Sequence, residues 1–136
     1  MKLHLAPIPV KLIDFRFEIE GTLKAGTRVI RVETPGPSMH EVDIFRLRGN
    51  RTVADVNQWR KREDAGQPSE TNGPSDAMGG LLDSHDLHRV SWLRRNFRPG
   101  LYVLHCEMPM DSAATAGKVG MTHADVGMVR EFLVGR

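Results

Sequence analysis

A chain of 136 residues carrying a formal net charge of +2 is long enough for one hydrophobic core and too short for two. Its apolar content of 40% is ordinary, and acids and bases interleave, as in "RKRED", which excludes a disordered chain, a fibrous chain and a nucleic-acid partner. No apolar run approaches the roughly 20 residues that cross a bilayer, so no membrane insertion is expected.

The opening "MKLHLAPIPV" is cut short by Pro7 and Pro9 and lacks the apolar core and cleavage site of a signal peptide. The reading is of a single domain over residues 1–136, with 1–10 as a poorly ordered N-terminal extension. "IDFRFEIE" alternates, Ile13, Phe15, Phe17 and Ile19 pointing one way and Asp14, Arg16, Glu18 and Glu20 the other, which predicts a half-buried strand. "GTLKAG" turns the chain, and "TRVIRVE" is a second strand with Ile30 and Val32 on one face. "TPGPS" is a rigid loop leading into a third strand, "MHEVDIFRLR", that begins at His40.

The period then changes. Thr52 is an N-cap with Asp55 three residues on, and Val53, Val56 and Trp59 recur at helical spacing, predicting a helix from Val53 to Glu63. "AGQPSETNGPSDAMGG" reads as a Gly/Pro/Ser loop. Strands resume in "LHRVSWLRRNF", in "LYVLHC" after the turn "RPG", and in "MVREFLV". Six or seven strands with one inserted helix predict an antiparallel β-sandwich. The basic segments "NQWRKR" and "WLRRNFR" read as solvated faces.

The only cysteine, Cys106, makes no intramolecular disulfide, so cysteine usage does not decide the compartment. Near the expected strand ends lie His40, Cys106, His123 and Met128. Two imidazoles, a thiolate and a thioether are the donor set of a type 1 copper centre, whose work is one-electron transfer. Each residue also has a plainer reading: a buried thiol filling core, loop histidines, a core methionine. His105 faces away from whatever Cys106 faces, because neighbours on a strand alternate, and so stands outside the set. Met108, Met110 and Met121 are filler around a site mouth or a thioether path for Cu(I). His85 and His88 in "HDLH" read as a solvated turn. "GPSDAMGG" has no following Lys-Ser/Thr and is no phosphate loop, and nothing around Cys106 supplies an oxyanion turn or orienting acid for hydrolysis.

In "RPGLYVLHC", "THADVGM" and "VREFLV", with "PSMHEVDIF" upstream, the chain resembles the cupredoxins, the blue copper proteins of the plastocyanin and azurin type. The resemblance runs from about Ile13 to Val134, and looks closest to a bacterial branch with a helical insertion and a long ligand loop. It implies an antiparallel Greek-key sandwich and one copper ion, with His40 and His123 as imidazole ligands, Cys106 as thiolate and Met128 as axial thioether. It also implies an electron carrier rather than an enzyme, a redox partner protein, and a periplasmic or otherwise extracytoplasmic place with the export signal absent from this chain. Familiar members set the second histidine a few residues after the cysteine; here "EMPMDSAATAGKVGMT" intervenes. That longer, Met-containing run leaves copper storage or delivery as an alternative, and a metal-free β-sandwich interaction module as another.

Overall fold

Apolar residues recur at Val10 and Leu12 and again at Phe15, Phe17 and Ile19, and the change of phase between the two sets marks a reversal of the chain. The computed structural model describes residues 6–36, 38–71, 73–82, 89–110 and 121–136. In it β1 (Ile8–Ile13) and β2 (Arg16–Ile19) pair antiparallel, with Leu12 opposite Phe17. The single strand expected from "IDFRFEIE" is therefore a hairpin with Asp14 and Phe15 at its corner. β1 starts at Ile8 and buries Val10, so the end of the 1–10 segment is core rather than extension.

The remaining elements are β3 (Leu23–Lys24), β4 (Gly26–Gly36), β5 (Glu41–Leu47), α1 (Val53–Asp64), β6 (Ser75–Leu82), β7 (Arg89–Phe97), β8 (Gly100–His105) and β9 (Val129–Gly135). Two sheets result, one ordered β2-β1-β4-β7 and the other β3-β9-β8-β5-β6. The sandwich with one helix is as expected, and most pairings are antiparallel, but β1 with β4 and β3 with β9 run parallel. The strands missing from the sequence reading are β1, β3 and β6. β6 was hidden by its glycines, which suggested a loop. Gly80 is there because the backbone of β5 comes so close that a Cβ would meet the carbonyl oxygen of Val42 at 2.0 Å.

Alternation along β8 divides the protein into layers. Tyr102, Leu104 and Cys106 face inward, into the main core with Val10, Leu12, Phe17, Ile30, Val32, Leu93 and Phe97. Val103, with Leu101 packed beside it, faces outward, where Val103, Leu47 and Val56 form a smaller core under α1. The helix is thus a third layer on the five-stranded sheet. Its N-terminus carries the expected capping box, Thr52 accepting from the Asp55 amide and Asp55 from the Thr52 amide. Val56 is its one buried residue, contributing about 2 kcal/mol by burial. At the start of β8, the Tyr102 hydroxyl accepts from the Arg98 amide and donates to the Arg98 carbonyl, which fixes the turn that sends this strand toward Cys106.

Candidate metal centre

Three segments meet at one end of the sandwich. β8 ends at His105, and Cys106 follows it with its amide donating to the Met128 carbonyl (3.2 Å), just before β9. His40 immediately precedes β5. His123 opens a single 3-10 turn, Ala124–Val126, whose entry repeats the capping chemistry of α1: Asp125 accepts from the Thr122 amide (2.8 Å) and Thr122 from the Asp125 amide (3.4 Å). Gly127 closes the turn with φ of 103°, a left-handed conformation suited to glycine. The Met128 amide then donates to the His123 carbonyl (3.0 Å), and the His123 amide to the Met108 carbonyl (2.8 Å). These bonds clamp the ligand loop at both ends of the described part.

The side chains converge as the backbone directs them. His40 Nδ1 lies 3.0 Å from His123 Nδ1, and Cys106 Sγ lies 3.5 Å from the same nitrogen. One ligand atom from each of the three residues falls within 4.8 Å of the others. His40 and Cys106 are fully buried, His123 nearly so, and Met128 is fully buried in the core cluster that includes Cys106. All four residues singled out in the sequence therefore lie at this end, three as a tight group and Met128 tied to two of them through the backbone. His105 is outside the group, as strand alternation predicted. His85, His88 and the run 111–120 lie outside the described residues.

Four partners were not legible as such. The Asp14 carboxylate, at the corner of the β1–β2 hairpin, accepts from His40 Nε2 at 2.7 Å. That fixes the proton on Nε2 and leaves the Nδ1 lone pair facing the cluster. Ser38 orients the carboxylate through its hydroxyl (2.9 Å) and amide (3.3 Å). Burial alone would raise the Asp14 carboxyl, but the bonds from Ser38 and His40 outweigh it and hold the group below the usual range. Phe15 sets ring edges against both imidazoles, with centroids 5.2 Å from His123 and 6.4 Å from His40. The Glu41 amide donates to Cys106 Sγ (3.4 Å), while the Glu41 carboxylate accepts from the Glu107 amide (3.0 Å). Glu41 so clasps the cysteine from both sides of its own backbone. Burial pushes the Cys106 thiol up to about 11, against the pull of the amides of Glu41 and Met108.

The donor set fits a single soft metal ion. Ligands bonded at about 2.0 Å (imidazole) and 2.3 Å (thiolate) around one centre lie roughly 3 to 3.7 Å apart, and His123 Nδ1 stands at such distances from both His40 Nδ1 (3.0 Å) and Cys106 Sγ (3.5 Å). On the opposite face of the sheet, His105 is buried near Asp43 and Glu107. Burial, with Arg60 beside it, pushes this imidazole down to about 4. Burial and the neighbouring Glu41 push Asp43 up to about 6, against the pull of Arg60.

Solved structures share this architecture. A sodium-dithionite-reduced auracyanin from the photosynthetic bacterium Roseiflexus castenholzii superposes with a TM-score of 0.55 at 14% identity, over 94% of this chain and 95% of that one. The fold is that of the cupredoxins. Auracyanin B matches at a TM-score of 0.48 and 17% identity, over 98% of this chain and 94% of its own. No protein-family model matches the chain, and no curated protein matches its sequence. At such identities the cupredoxin likeness is one of architecture, and function rests on the residues at the end of the sandwich.

Proposed function

We propose that this chain, as one domain over residues 1–136, would hold one copper ion on His40, Cys106 and His123, with the Met128 thioether as a further donor. Its work is then one-electron carriage rather than catalysis of a bond change. The observation that carries this reading is the convergence of three buried ligand atoms to within 4.8 Å at one end of a cupredoxin sandwich. Copper bound there supplies the Cu(II)/Cu(I) couple that no side chain of the set has by itself. The protein's own groups do the rest. Asp14 holds the tautomer and ring plane of His40, and the Glu41 amide stabilises negative charge on the Cys106 sulfur. Burial keeps water from the donors, so little solvent must reorganise when the charge of the site changes.

His123 is the natural exit for the electron. It contacts Phe15 and begins the turn that carries Val126, which is 38% exposed, into solvent, where a redox partner protein would dock. An extracytoplasmic place belongs to the same proposal. Among the described residues no helix is long and apolar enough to cross a membrane.

Titration of the protein with Cu(II) tests the reading. One equivalent should produce an intense visible thiolate-to-copper band with a narrow copper hyperfine splitting, and Cys106→Ser should abolish it. A wild type that stays colourless ends the proposal. One observation favours copper delivery as a second reading. The Met110 amide donates to the Met121 carbonyl (2.9 Å) beside a bridge between Pro109 and Thr122, bringing the methionine-bearing ends of the ligand loop together. Fast electron self-exchange with slow metal loss would reject delivery; the reverse would favour it.

A further inference from the structure

The sheet register assembles a second donor group on the outer face of the same strands. Asp43 of β5 stands directly opposite His105 of β8, and Glu107, two residues beyond His105, falls on the same side. One ligand atom from each of Asp43, His105 and Glu107 lies within 4.8 Å of the others. His105 is 2% exposed, and among the described residues its Nδ1 has no hydrogen-bond partner, the nearest carboxylate oxygen being that of Glu107 at 4.0 Å. A buried nitrogen left without a partner beside two carboxylates is an arrangement a cation would complete.

Charge points the same way. The carboxylates of Glu41, Asp43 and Glu107 gather around one fixed cation, Arg60 of α1, which pairs with Glu107 and lies over the Phe45 ring at 5.6 Å. The Nε of Arg60 is itself buried without a partner among the described residues. Asp64, one helical turn along α1, offers the guanidinium another place to go. A pocket of about 120 Å³, lined by Arg60, Asp64, His105, Glu107 and Asp125 among others, opens beside the group.

We propose that Asp43, His105 and Glu107 form a second metal site, for a divalent first-row ion such as Zn²⁺, on the face of the sheet away from Cys106. One imidazole and two carboxylates without sulfur suit such an ion better than they suit Cu(I), so the two sites differ in what they select. Arg60 competes with the ion for Glu107.

Equilibrium dialysis of the full chain against Zn²⁺, with metal analysis, tests this apart from the copper reading, because the protein used is Cys106→Ala, in which the inner donor set has lost its thiolate, and because the outer-face variants below leave His40 and His123 in place. That variant should retain one Zn²⁺ per chain. Adding His105→Phe should weaken uptake at least tenfold, and adding Asp43→Asn, a milder change that keeps the proposal testable should the first variant not fold, should do likewise. Adding Arg60→Gln should tighten binding at least threefold. No stoichiometric Zn²⁺ in Cys106→Ala overturns the proposal. So does uptake that neither His105→Phe nor Asp43→Asn reduces, which would mark ions held elsewhere, and so does weaker binding in Arg60→Gln.

Discussion

On the inner face of the sheet, Cys106 is sealed among His40, His123 and Met128; on the outer face, one residue earlier, His105 is sealed among Asp43, Glu107 and Arg60. The two groups share a strand end and are built by different means. The inner donors come from segments just outside strands, and each is held by bonds from a loop, a hairpin corner or a 3-10 turn. Of the outer donors, Asp43 and His105 come from strand pairing itself and Glu107 from just past the end of β8, with α1 closing over them. The inner group is soft and carries an exchangeable thiol proton. The outer group is hard, excess acidic, and already contains a cation. A single residue's step along a β-strand is thus enough to separate two chemistries by the thickness of a sheet.

The contrast sharpens first on pH. Below about 11 the inner thiol is protonated, so any ion it binds must displace that proton. Affinity should therefore fall as pH falls, by about tenfold per unit from this group alone, or roughly a hundredfold between pH 8 and pH 6. Competition for Cu(I) against a chelator of known affinity at the two pH values checks the slope; a flat profile would show that Cys106 is not a ligand. Next comes Asp14→Asn, which keeps a hydrogen-bond acceptor at His40 Nε2 but removes the charge. Copper affinity should drop roughly ten- to a hundredfold, with the visible band retained and altered. An unchanged affinity would reduce Asp14 to a turn residue.

Val56→Ala acts on the other side. It opens a small cavity between α1 and the sheet and should lower stability by about 2 kcal/mol in urea unfolding. The copper spectrum should not move, since Val56 touches only the outer core. A shifted band would mean the two faces are mechanically joined. The smallest effect belongs to Thr122→Ala, which removes the hydroxyl that accepts from the Asp125 amide at the entry of the turn carrying His123. About 0.7 kcal/mol of stability should go with it, and metal release should quicken about threefold, measured by transfer to a chelator.

Much of this was legible from residue order. The capping box at Thr52 and Asp55 locates α1, the alternation in "LYVLHC" puts Cys106 and His105 on opposite faces, and the soft-donor residue types point to the inner group. The hairpin at Asp14 was not, because Asp-Phe lacks the glycine or asparagine that marks a tight turn. Only the slip in apolar phase between Leu12 and Phe15 betrays it. Asp14 was lost with the hairpin, since an acid on the polar side of an assumed strand invites no further question. The outer group escaped for another reason. Asp43 and His105 are 62 positions apart, and nothing short of the register between β5 and β8 reveals that they are opposite.

The corner of the β1–β2 hairpin belongs to the four-stranded sheet, yet its carboxylate grips a histidine that introduces a strand of the other. A graft of the final third onto a foreign scaffold would carry the thiol, the later imidazole and the thioether, and would leave behind both the earlier imidazole and the carboxylate that fixes its ring. Whoever redesigns this centre must transplant a brace from the far side of the molecule along with the donors.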